Sequence, residues 1–308
     1  MNELTHKIII MFIIMVIGFI CGKAKLISGN TNKRLSGILL LLVSPILTFL
    51  SYQREYSSDV AWNLLLSLAL AVITHIIMII CAGFLVSKKS RDREVEIMSC
   101  IFSNCAFMGI PIVESVFGAD GIIFLTMYVT VFHLLTWTYG VTLMTGENSL
   151  KDTLRHLLVP AVISVILGLI FFFCRIPLPE IIKEPLKMIG DMNTPLAMLV
   201  AGATLSQTNF RELVRRPKIL YISAIRLLLF PAIASLIAAL FVKLGASPMP
   251  LTTVVIAAGC PSAVLNVNFA LKYDMDGVYA SEIFAFSTVA CAVTIPLVIK
   301  FLSVLGVG

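Results

Sequence analysis

The sequence predicts an all-α integral membrane protein: ten transmembrane helices in two inverted five-helix repeats, with broken, proline-crossed fourth and ninth helices. Three observations predict it. Of 308 residues, 59% are hydrophobic and 13% charged, against about 25% charged in a soluble domain. The apolar residues fall in blocks of roughly 20, the length a helix needs to cross a ~30 Å hydrocarbon layer at 1.5 Å per residue. Two proline-interrupted blocks recur at an offset of 150 residues. The alternating strands of a membrane β-barrel are absent from the sequence pattern.

Windows of about 19 residues place the spans at roughly 7–22, 35–51, 61–86, 96–117, 121–144, 156–174, 186–206, 219–243, 250–271 and 278–304. The first block ends at Cys21, but Ile20 stands where a lipoprotein signal needs a small residue, so an uncleaved span is expected. Alternate connections differ in charge. Fifteen Lys and Arg lie on one side, among them Lys88, Lys89, Lys151, Arg155, Arg211 and Arg215; seven lie on the other, and Arg226 falls inside a span. The positive-inside rule then puts both termini outside the cytoplasm, in a cytoplasmic (inner) membrane. The net charge of +6 comes from these scattered residues and gives no patch for nucleic acid. None of the seven cysteines forms a CxxC pair, so they are expected as reduced packing residues without metal.

The repeat is visible in particular residues. Pro45 and Pro195 both sit mid-span, with Gln53 and Gln207 near the exits; Pro111 and Pro261 both fall in the fourth span of a half. The segments FGADGIIF and YDMDGVYA pair at an offset of 156, which calls for a small insertion between the halves. Halves of five spans, 1–150 and 151–308, enter the membrane from opposite sides, as in many secondary transporters.

In SNCAFMGIPIVESVFG, Ser103 to Gly118, two glycines, a proline, an asparagine and a glutamate interrupt an apolar block. Proline removes an N–H and clashes with the preceding turn, so breaks are expected near Pro111 and Pro261. Freed backbone groups cost several kcal/mol against lipid and must line a buried or wet cavity. If the breaks cross, half-helix N-termini converge on one small volume suited to a carboxylate. Substrate contacts are accordingly assigned to Asn104, Gly109, Pro111, Pro261, Asn266 and Asn268. The alternative is prolines that only kink packed helices and asparagines that only bridge them.

Ionisable groups within spans are functional candidates. Arg226 is expected to neutralise an anionic substrate, to pair with a carboxylate, or to snorkel toward the basic connection. His75, at an offset of 151 from it, either titrates near neutrality or packs with a hydrogen bond. Glu114 and Glu282 carry a coupling proton or are solvated near an interface. Asp191 and Asn193, just before Pro195, face a cation or the substrate. Ser287 and Thr288 are expected as packing hydroxyls, and His133 and Trp137 as a packing pair.

The segments SNCAFMGIPIVESVFG, GCPSAV and STVACAVTIPLVI resemble the auxin efflux carrier family, over nearly the whole chain. That family includes bacterial permeases of the malate and malonate type and the plant PIN-type exporters. The resemblance implies a scaffold domain (spans 1, 2, 6 and 7), a transport domain (spans 3–5 and 8–10), crossover prolines at Pro111 and Pro261, a binding-site asparagine at Asn104, and often a homodimer. The connection Thr145 to Arg155 is short where plant members often carry a regulatory loop, which favours a bacterial-type member.

The expected function is secondary transport of a small organic anion by an elevator-like or rocking motion, with sodium- or proton-coupled symport as one alternative. A channel or membrane sensor on the same fold is the other. No HExxH, GxSxG or Walker loop occurs, so neither an enzyme nor a cofactor is expected.

Overall fold

A computed structural model describes residues 3–146, 159–208 and 216–307, and in it helix fills nearly all of each apolar block. The helices are α1 (Glu3–Lys23), α2 (Gly29–Ser51), α3 (Ser58–Leu85), α4 (Arg93–Ile101), α5 (Cys105–Phe117), α6 (Ala119–Thr145) and α7 (Pro160–Phe173). They continue with α8 (Glu180–Gly190), α9 (Asn193–Leu205), α10 (Pro217–Lys243), α11 (Pro248–Gly259), α12 (Val264–Lys272) and α13 (Gly277–Val304). Five of these, α2, α3, α6, α10 and α13, are long and apolar enough to cross a membrane. Among the described residues there is no β-strand, only an isolated antiparallel bridge between Ser103 and Ser262. Local chemistry sets two of the starts. The Ser28 hydroxyl accepts the Thr31 N–H ahead of α2, and the Asp276 carboxylate accepts the Tyr279 N–H ahead of α13.

In α2, α5 and α10 the helix runs through a proline by way of a wider turn. A π-helical turn, Leu39–Val43, Cys105–Gly109 or Ile225–Leu229, stands just before Pro45, Pro111 or Pro231. The wider i→i+5 turn makes room for the ring and absorbs the missing N–H. The break expected at Pro111 therefore lies elsewhere. Helix α4 ends at Ile101, Phe102 is extended (φ −93°, ψ 109°), and helix resumes at Cys105, six residues before Pro111. In the second segment the break does contain its proline: α11 ends at Gly259, Cys260 is extended (φ −65°, ψ 155°), and α12 begins at Val264. The bridged residues Ser103 and Ser262 are 159 apart, so Pro111 and Pro261 are not counterparts at the crossing.

The chain divides into two compact units, Met1–Leu65, Ala106–Thr126 and Leu158–Gln207 in one, Leu66–Cys105, Met127–Leu157 and Thr208–Gly308 in the other. Each draws segments from both sides of residue 150. Lys151, Arg155, Arg211 and Arg215, and most of the Thr145–Arg155 connection, lie outside the described residues.

Unit one is built on α1 lying along α9 at backbone distance. A Cβ at Gly18 would stand 2.8 Å from the Leu199 Cα, and one at Gly202 would stand 2.7 Å from the Phe19 nitrogen. Small residues permit this approach, as in other apolar helix pairs. Polar ties join α2 to the same α9: Asn32 Nδ2 donates to Thr204 Oγ1 (2.8 Å) and Ser44 Oγ to Asn193 Oδ1 (2.7 Å). In unit two, α10, α11 and α13 pack together, with α12 against α13 and α4 against α10 and α13.

Candidate functional site

Polar chemistry in unit two concentrates where α4 and α11 stop. The two extended linkers run antiparallel, the Asn104 N–H donating to the Pro261 carbonyl (2.7 Å) and the Ala263 N–H to the Phe102 carbonyl (3.0 Å). The Ser262 N–H, next along, donates to the Ser287 hydroxyl (3.1 Å) of α13. Asn266, in the first turn of α12, spans the crossing: its Nδ2 reaches the Met98 carbonyl, the Phe102 carbonyl (both 3.2 Å) and the Ser262 hydroxyl (3.0 Å). Two of those partners are carbonyls, which only accept, so the amide orientation is fixed and Oδ1 faces away from them. That Oδ1 and the Asn104 Nδ2 are buried without a hydrogen-bond partner. Groups in this condition cost roughly 1–3 kcal/mol each unless a ligand or water satisfies them.

Arg226 lies in the π turn of α10, fully buried. Its Nε donates to the Cys260 carbonyl (3.1 Å), Nη1 to the carbonyls of Cys100 and Ile101 (both 2.8 Å), and Nη2 to the Ala258 carbonyl. The guanidinium thus caps the C-terminal ends of α4 and α11 together. Among the described residues it pairs with no carboxylate, and its donors go to backbone carbonyls of the crossing. The Tyr128 hydroxyl lies beside Arg226 and Ser103. His75, fully buried, donates from Nδ1 to the Ala71 carbonyl (2.8 Å), packs its ring 4.5 Å from that of Tyr128, and leaves Nε2 without a partner.

The sequence profile of the family described as Membrane transport protein matches residues 3–152 and 147–299. The chain belongs to this family. Among membrane transport proteins it is 23% identical over 298 residues (95% of this chain, 96% of the relative) to an uncharacterized transporter of Methanothermobacter thermautotrophicus. It is 24% identical over 296 residues (91% and 93%) to an uncharacterized transporter of Methanocaldococcus jannaschii.

In this member of the membrane transport protein family, the residues singled out from sequence fall into separate groups. Asn104, Pro261, Asn266 and Arg226 meet at the crossing, whereas Asn268 is exposed on α12. Gly109 and Pro111 are helical residues of α5 that belong to unit one, with Glu114. There the Thr194 hydroxyl donates to Glu114 Oε2 (2.7 Å), and both line a cavity of about 280 Å³ with Ile10, Met11, Pro111 and Ser115. Asn193 is buried and receives the Ser44 hydroxyl, its Nδ2 lacking a partner; Asp191 is exposed at the end of α8. Glu282 is buried and paired with Arg216 (2.6 Å), so it is not simply solvated. Among the described residues no cluster of His, Cys, Asp or Glu is gathered to hold a metal.

Sequence reasoning missed four residues. Ser103 and Ser262 sit at the centre of the two breaks, flagged only by the short polar interruptions FSN and CPS. Ser287, expected as a packing hydroxyl, holds the second linker through that hydroxyl. Glu96 is the fourth: buried, it accepts from Lys218 Nζ (2.6 Å), Ser90 Oγ (2.9 Å) and Tyr279 OH (3.2 Å). Its place in the charged run RDREVE gave no hint of burial.

Proposed function

We propose that this protein is a secondary carrier of a small organic anion, a carboxylate, working by alternating access with its site at the crossing of the two interrupted helices. The observation that carries the reading is the pair of buried, unpartnered amide atoms there, Asn104 Nδ2 and Asn266 Oδ1, beside helices that begin at Cys105 and Val264. The N-terminal dipole ends and the Asn104 donor favour a carboxylate. The Asn266 acceptor favours a hydroxyl or N–H on the same molecule, so a hydroxy acid satisfies both.

Arg226 supports this charge preference indirectly. It engages backbone carbonyls with four donor contacts, which cancels the negative helix ends and leaves the positive ones for the ligand. In this reading spans 1, 2, 6 and 7 form the scaffold and the face of a homodimer, and spans 3–5 and 8–10 form the transport domain. The protein lies in the cytoplasmic membrane with both termini outside, and it draws on the membrane potential, a proton or sodium.

The test is uptake into proteoliposomes of radiolabelled malate, malonate, succinate, lactate and indole acetate, under an imposed potential, proton gradient or sodium gradient. Saturable uptake of at least one acid is expected. No uptake under any gradient overturns the carrier, and currents of thousands of ions per opening would make the protein a channel.

A further inference from the structure

Where α4 and α11 end, four backbone carbonyl oxygens, those of Cys100, Ile101, Ala258 and Cys260, converge on one point inside unit two. A cage of helix-end carbonyls is the kind of site at which interrupted-helix transporters hold a coupling cation. Each helix C-terminus carries roughly −0.5 of a charge, so two of them sum to about −1. In this chain the cage is already filled. The Arg226 guanidinium, fully buried, sits in it with all three nitrogens donating, and among the described residues no carboxylate competes for it. Its charge of +1 matches that of the two helix ends. The π turn Ile225–Leu229 that carries it is a widening of the kind that re-aims a side chain at functional sites.

We infer that Arg226 is a built-in cation: it occupies a monovalent-cation site, so the wild-type protein takes no sodium at the crossing, and removing the side chain opens that site to a free cation. The consequence for coupling rests on the carrier reading given above. The occupancy of the cage does not.

The experiment is thermal unfolding of the full-length protein in detergent, comparing wild type with Arg226→Ala in choline, sodium, potassium and low (~20 mM) guanidinium chloride. Wild type is expected to unfold at the same temperature, within about 1 °C, in all four. Arg226→Ala leaves four buried carbonyls unpaired and should lose on the order of 10 °C in choline. Guanidinium, or sodium, should restore at least half of that. Equal stability of variant and wild type, no recovery with any cation, or sodium stabilisation of wild type would each overturn the inference.

If Arg226→Ala does not fold, Arg226→Lys decides: an ammonium still supplies the charge, so a folded Lys variant supports the built-in cation, and a Lys variant as unfolded as Ala contradicts it. None of these readouts needs a substrate, so failure of carboxylate uptake would leave the inference standing. Conversely, an active carrier whose wild type is stabilised by sodium would sink it and leave the carrier intact.

Discussion

At the crossing, two asparagines do different work, and substitution should separate them. Asn266 satisfies two backbone carbonyls and the Ser262 hydroxyl. Asn266→Ala strands those acceptors and should cost about 2–4 kcal/mol of stability as well as function. Asn104 holds the linker through its backbone N–H, and its Nδ2 has no partner. Asn104→Ala should therefore change stability by less than about 1 kcal/mol while cutting uptake more than tenfold. Thermal unfolding and uptake on the same two preparations check this; an Asn104→Ala protein as unstable as Asn266→Ala would make Asn104 a packing residue. Asn104 was legible because an amide in an apolar block needs a reason. The role of Arg226 was not, because its partners are main-chain carbonyls, which leave no trace in a sequence.

The two breaks have different causes, and this is where sequence reasoning went wrong at the scale of elements. Proline forces the residue before it away from helix, and Cys260 before Pro261 is extended accordingly. The second break is thus written locally. In the first, no proline is present: Phe102 is held extended by the Ala263 N–H and the Asn266 amide, which come from 160 or more residues away. Pro111 is the visible helix-breaker nearby, but a π turn accommodates it and α5 runs through. Pro111→Ala is accordingly expected to shift the unfolding temperature by less than about 2 °C and keep most of the uptake, since the helix gains an N–H in a place already shaped for it. Pro261→Ala should cost several-fold more activity, because α11 then has less to stop it. Equal losses from both prolines would restore them as counterparts.

Across the whole molecule, apolar blocks and the charge count prescribed a multi-helix membrane protein, and family membership is consistent with that prescription. The division into units was less legible. Contacts between distant segments define it, and they assign Ala106–Thr126 to a different unit from Cys105. Orientation can be tested with the native cysteines. Cys100, Cys105, Cys260 and Cys291 are buried, whereas Cys174, at the end of α7, is exposed. With both termini outside, a membrane-impermeant maleimide should label Cys174 from the outside of intact cells. Labelling of Cys174 only in inverted vesicles would reverse the topology.

The most direct measurement of the central claim is carboxylate uptake by proteoliposomes holding wild type, Asn104→Ala or Pro111→Ala at matched amounts of folded protein. A site at the crossing predicts saturable uptake by wild type and by Pro111→Ala, with at least a tenfold loss in Asn104→Ala. Uptake by Asn104→Ala equal to that of wild type would contradict it and move the substrate away from the crossing.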